Sequence, residues 1–193
     1  MIDPQPALEA LARGDIVILT GDRLRGGDID FCTPASTITA EKINFMAKYG
    51  RGLICLTITP ERAMQLGISL MNPTAQRQTG RTFGNSIEAA DGITTGISVA
   101  DRARTVQVAV RSDAKANDLV SPGHVFPLIA RTEGTRVRMS AVEGSIDLCR
   151  LADVGDAAVI CSIMRDDGEM ARLDDIEDLI SGFQLQVADI GNI

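Results

Sequence analysis

The chain holds one histidine, His124, in the segment Pro122-Gly123-His124-Val125-Phe126-Pro127, where a turn runs into an apolar stretch. An imidazole titrates near neutrality, so a histidine at the mouth of a strand can serve as general acid or base. The plainer alternative is a hydrogen-bonded structural residue. Asp28 and Asp30 stand two apart in the glycine-rich turn 21–30. In extended backbone they face the same side, which suits a polar site; otherwise they are solvated loop charges. Thr94-Thr95-Gly96 precedes Ser98-Val99-Ala100-Asp101, which reads as a capping box. That stretch offers hydroxyls and backbone N–H groups as an anion seat at a helix start, or ordinary capping. Gly26-Gly27 follows a strand without the further glycines of a nucleotide-binding turn. Cys32, Cys55, Cys149 and Cys161 show no C-x-x-C spacing, and Cys55 and Cys161 lie inside apolar runs, as inert core thiols do.

The elements that must position these groups are legible in outline. Residues 4–12 carry apolar positions at helical spacing and end at Arg13-Gly14. Residues 16–19 read as a short strand and 21–30 as a charged turn. Thr39 caps a helix expected to reach Tyr49, with Gly50 and Gly52 as its stop. Residues 52–58 form a continuous apolar run, the pattern of a buried strand, and Thr59-Pro60-Glu61 starts a helix. Residues 72–80 read as a loop, 83–90 as a strand weakened by Gly84 and Asn85, and 98–110 as a capped helix. Strands over 125–130 and 157–164 alternate with a helix over 143–151. An acidic amphipathic helix over 173–180 and a strand over 183–187 close the chain. Helices and strands intermix without repeat, low-complexity segment or linker, giving one α/β (α+β) domain over residues 1–193.

Composition narrows the function. At 193 residues the chain can bury a real core without metal or disulfide, and with 3% aromatic residues and no Trp that core is aliphatic. A net charge of −7 argues against a nucleic-acid backbone as partner, because such binding rests on clustered Lys and Arg. No run reaches the roughly 18 apolar residues of a membrane span, and the first residues open no signal peptide. Four cysteines without a disulfide pattern point to a reducing, cytoplasmic setting. One histidine excludes a multi-His metal site within one chain.

Several strings resemble 3,4-dihydroxy-2-butanone 4-phosphate synthase of the riboflavin pathway. They are Ala7-Leu8-Glu9-Ala10-Leu11, Glu41-Lys42-Ile43-Asn44-Phe45-Met46, Gly50-Arg51-Gly52-Leu53-Ile54-Cys55-Leu56 and Gly92-Ile93-Thr94-Thr95-Gly96-Ile97-Ser98 with Asp101-Arg102. Pro122-Gly123-His124-Val125-Phe126-Pro127-Leu128 and Asp166-Asp167-Gly168 with Met170-Ala171-Arg172 continue the match in family order. The resemblance implies an α/β fold, a homodimer with active sites at the subunit interface, and magnesium-dependent conversion of ribulose 5-phosphate into formate and a four-carbon phosphate. By it Arg25 and Asp30 match substrate-contacting residues and His124 an essential one; the candidate site is then His124 and Asp30 as catalytic groups, with Arg25, Asp28, Thr95, Arg138 and Ser162 binding substrate.

The chain departs from the family pattern at the positions that matter most for the cation. The acidic loop has Gly26 where a metal-binding Glu is expected and Asp28 where a second Glu is expected. The stretch Arg138-Met139-Ser140-Ala141-Val142-Glu143 has Ala141 in place of a metal-binding His and Val142 in place of Thr. Ser162 stands where a catalytic Glu is expected beside Cys161. Both protein ligands of the magnesium are then gone, so no metal and no other cofactor is expected, although Asp28, Asp30 and Glu143 offer donors for a rebuilt site. The expected reading is a repurposed, metal-independent lyase or isomerase with a wider, less charged pocket, using His124 and Asp30 for proton transfer on a small oxygenated substrate clamped by Arg25 and Arg138. The alternatives are a non-catalytic ligand-binding or partner subunit, and the family's own synthase activity.

Overall fold

A computed structural model describes residues 2–73 and 81–193. Thirteen regular elements are named here: α1 (Gln5–Ala12), β1 (Val17–Thr20), β2 (Asp30–Pro34), α2 (Ala40–Phe45), β3 (Arg51–Ile58), α3 (Pro60–Gln65), β4 (Ile87–Ala89), α4 (Val99–Val110), β5 (Leu119–Ile129), α5 (Ala141–Leu151), β6 (Ala158–Ile163), α6 (Glu177–Phe183) and β7 (Gln186–Asp189). The strands form one mixed sheet in the order β4-β5-β3-β6-β2-β1-β7. β3 runs parallel to β5 and β1 parallel to β7, while β6 lies antiparallel between β3 and β2. The α/β class expected from the sequence is the class observed.

The central strands are apolar at nearly every position because both faces of the sheet are covered. On one face Phe31, Ile54, Leu56, Val125, Val159 and Cys161 pack under Ile43 and Met46 of the α2 segment and Ala103 and Val106 of α4. On the other, Val17, Leu19, Cys32, Cys55, Leu128 and Ile160 pack under Ala7 and Leu11 of α1 and Ile146 and Cys149 of α5. The caps expected at Thr39, Thr59 and Ser98 are made, each side chain accepting an N–H three residues on. All four cysteines are free and buried, and burial pushes the thiols of Cys55, Cys149 and Cys161 up to about 12.

Boundaries differ from expectation in four places. The helix capped by Thr39 changes to π geometry over Met46–Gly50, and Arg51 then takes φ 63° to enter β3. The strand over 83–90 shrinks to three residues, with Phe83 and Gly84 making single bridges to Leu128 and Leu70. The acidic helix begins as a 3₁₀ turn over Leu173–Ile176, and the last strand starts three residues late. β2 was not anticipated at all: its five residues include Thr33 and end on Pro34, so it lacks an apolar run. The loop expected over 72–80 lies largely outside the described residues, from 74 onward.

Candidate active site

Strand register brings Asp30 and Ser162 together. Cys32 faces Ile160, Ile160 faces Cys55 and Cys55 faces Phe126, so these four form one row across β2, β6, β3 and β5. Side chains alternate along a strand, so two residues further on the same face returns. Two residues on, Asp30 lies opposite Ser162, while β3 shifts register between Arg51 and Ile54 and its pairing with β5 begins at Cys55 and Phe126, two residues past His124. Asp30 and Ser162 lie on the face covered by α1 and α5. Two open clefts, of about 570 Å³ beside Tyr49 and Phe183 and 440 Å³ beside Met64 and Ile129, are lined by neither Asp30 nor His124.

Around Asp30 the charges are paired. The Asp30 side chain is 1% exposed; its Oδ2 lies 3.1 Å from Arg25 Nη1, and its Oδ1 accepts from Arg81 Nη2 at 2.6 Å and from Ser162 Oγ at 2.7 Å. Asp28 lies 2.8 Å from Arg25 Nη2 and 2.7 Å from Arg172 Nη1. Burial works against the Arg81 charge, but the adjacent, hydrogen-bonded Asp30 carboxylate holds its pKa above the usual value. Gly26, at φ 64°, has open space where a side chain would stand. Three guanidinium groups face the Asp28 and Asp30 carboxylates here, and the buried Asp22 carboxylate also acts on Arg81.

Arg138 stands apart from it. It pairs with the fully buried Glu143 through Nε at 2.9 Å and Nη2 at 2.7 Å, and donates from Nη1 to Thr82 Oγ1 at 2.9 Å. Glu143 also accepts the Arg131 N–H and the Ser140 hydroxyl. Ala141 N–H, the first of α5, donates to Asp22 Oδ2 at 2.9 Å, so the buried Asp22 ties the acidic loop to that helix start.

Thr95 is exposed, and the anion seat expected beside it is filled from within the chain. Asp101 takes the Thr94 and Gly96 amides at 3.2 and 3.0 Å and the Thr94 hydroxyl at 2.9 Å. Burial would raise the Asp101 pKa, but those hydrogen bonds hold it below the usual value. On β5, His124 Nδ1 lies 2.6 Å from Glu88 Oε1. Glu88 and Arg81 went unnoticed in the sequence, and Arg172 stood there only within a family string, with no role. Glu88 alone had a signal, a charge inside an expected apolar strand, and Arg81 had none.

The family described as 3,4-dihydroxy-2-butanone 4-phosphate synthase matches residues 5–193. The chain belongs to the 3,4-dihydroxy-2-butanone 4-phosphate synthase family. A synthase of that name from Chromobacterium violaceum is 41% identical over 95% of this chain and 89% of its own length. The riboflavin biosynthesis protein RibBA of Aquifex aeolicus is 46% identical over 98% of this chain and 47% of its own length. The chain spans about half the length of several such relatives. Among solved structures, the synthase crystallised with two magnesium ions superposes with a TM-score of 0.92 at 31% identity, covering 99% of this chain and 94% of that one.

These likenesses correct the expectation of a repurposed, metal-independent lyase or isomerase. Relatives 41–43% identical over nearly the whole chain carry the synthase name and not that of a different lyase or isomerase. The surroundings are not stripped of charge, because Arg81 pairs with Asp30 and Arg172 with Asp28 beside the open space at Gly26. A divalent cation does not fit the donors as they stand. The oxygens of Asp28, Asp30 and Glu143 are engaged by guanidinium, hydroxyl or amide groups, and among the described residues no group of three His, Cys, Asp or Glu could hold a metal. Ser162, in the position expected of a catalytic Glu, serves as a hydrogen-bond donor to Asp30.

Proposed function

We propose that this chain carries the synthase reaction, converting ribulose 5-phosphate into 3,4-dihydroxy-2-butanone 4-phosphate and formate. The atoms balance within one substrate, so the reaction needs proton transfer and charge stabilisation and no redox partner. The observation that carries the reading is the buried Arg25–Asp28–Asp30–Arg81–Arg172 cluster on the sheet, together with His124 held against Glu88. The guanidinium groups suit an anionic sugar phosphate, since planar forked donors match phosphate oxygens. Ser162 orients Asp30, and His124 moves protons at the carbon skeleton. Thr95 and Arg138 serve as substrate contacts in the same reading.

Leu53 is 46% exposed near the start of β3, and Ile97, before α4, and Val120, on β5, are about half exposed. We assign that apolar surface to a second copy of the chain, a homodimer that light scattering would register as twice 20.5 kDa. Four free thiols fit a cytoplasmic setting, and among the described residues no helix is long and apolar enough to cross a membrane.

The test is ¹³C NMR of the protein with labelled ribulose 5-phosphate, run once with magnesium and once with EDTA. Labelled formate above a protein-free blank is expected; its absence in both samples overturns the synthase reading. Comparison of the two samples reads how far the release depends on the cation.

A further inference from the structure

Glu88 contributes nothing to the sheet's apolar packing, yet two separate segments leave room for it. Its side chain is 15% exposed, against 42% for His124. Gly96 has φ 80°, and a Cβ there would collide with the Glu88 carboxylate. A Cβ on Gly123 would strike the Glu88 Cγ and the Ile87 backbone. Gly123 is pinned in place by its own N–H, which donates to Ser86 Oγ at 3.1 Å. The result is a slot, walled by two glycines, that aims a carboxylate at Nδ1 of the only histidine.

We propose that Glu88 is the positioning residue for His124: its carboxylate accepts the Nδ1–H and thereby leaves the Nε2 lone pair free. This rests on the synthase reading for its catalytic consequence. A neutral imidazole can carry its proton on either nitrogen, and the hydrogen bond at one decides the state of the other. Free imidazole side chains favour the Nε2–H form, which offers no base outward. With Nδ1–H held by Glu88, Nε2 takes a proton from a substrate carbon and returns the same proton later, while the Nδ1–H bond stays intact. Glu88 also stabilises the transient imidazolium without accepting its proton, the role general to carboxylates behind catalytic histidines.

Because His124 is the sole histidine, its ring nitrogens can be read directly by ¹⁵N NMR at a pH where the ring is neutral. In the intact protein Nδ1 should show the protonated shift and Nε2 the unprotonated one. Glu88→Ala should reverse the two and lower kcat by about 10²-fold or more, with KM changed less than about threefold. Glu88→Gln keeps an acceptor for Nδ1–H without the charge, so it should restore the tautomer and part of kcat. Identical ring spectra for the Ala variant and the intact protein overturn the proposal. The spectra decide this even if no formate is released, in which case only the synthase reading falls.

Discussion

Replacing Asp30 with alanine is expected to lower the unfolding free energy by about 3–5 kcal/mol, the usual cost of removing one partner from a buried ion pair. The carboxylate is 1% exposed and faces two guanidinium groups. Arg25 retains Asp28 at 2.8 Å after the change, but Arg81, 12% exposed, loses its only ion-pair partner among the described residues. Its Nε is already buried without a hydrogen bond, so the truncated site leaves the group still less satisfied. Asp30→Asn separates charge from volume. It fills the same space and can still accept from Ser162, so nearly all of its loss would come from the missing charge. Urea unfolding reads both: the midpoint should fall with little change in slope. An Asn variant as stable as the parent would show that the pairing adds nothing to the fold.

Much of the scaffold was legible because its residues satisfy local rules. The Thr39, Thr59 and Ser98 caps, the apolar runs of β3 and β6 and the periodicity of α1 each follow from short stretches of sequence. β2 escaped because its identity is tertiary: Asp30 and Thr33 are polar, and they are buried only because β6 and β1 flank them. The site was legible in its members and not in their wiring. Arg25, Asp28, Asp30 and Ser162 meet in one buried cluster, while His124 pairs with Glu88 on the neighbouring strand β4. Arg138 belongs to a separate pair with Glu143, and Thr95 sits beside an anion seat that Asp101 already fills.

The larger lesson concerns reading lost side chains. Glu-to-Gly at position 26 and His-to-Ala at position 141 suggest an enlarged, weakly charged pocket when each is considered alone. Charge, however, is a property of everything that can reach a point. Arg81 and Arg172 come from segments more than fifty residues from the acidic loop, and they make its surroundings more positive. No local pattern announces such a contact, because a long flexible side chain can reach its partner from many backbone positions.

His124→Ala is expected to reduce formate release by about 10²–10⁴-fold in kcat, the range typical of a positioned acid–base group. Its side chain is 42% exposed and among the described residues its hydrogen bond is to Glu88 alone, so thermal stability should shift by no more than about 0.5 kcal/mol. That contrast matters. A large loss of rate in a protein of unchanged stability cannot come from misfolding, whereas Asp30 variants confound the two. Substrate affinity should be nearly preserved, because in this reading the phosphate end is held at the arginine cluster and not by His124. Exogenous imidazole offers a further discrimination: the vacated space opens to solvent, so added imidazole should recover part of the rate in His124→Ala and none in an Asp30 variant. A His124→Ala protein with full turnover would move proton transfer elsewhere in the site and leave His124 a structural partner of Glu88.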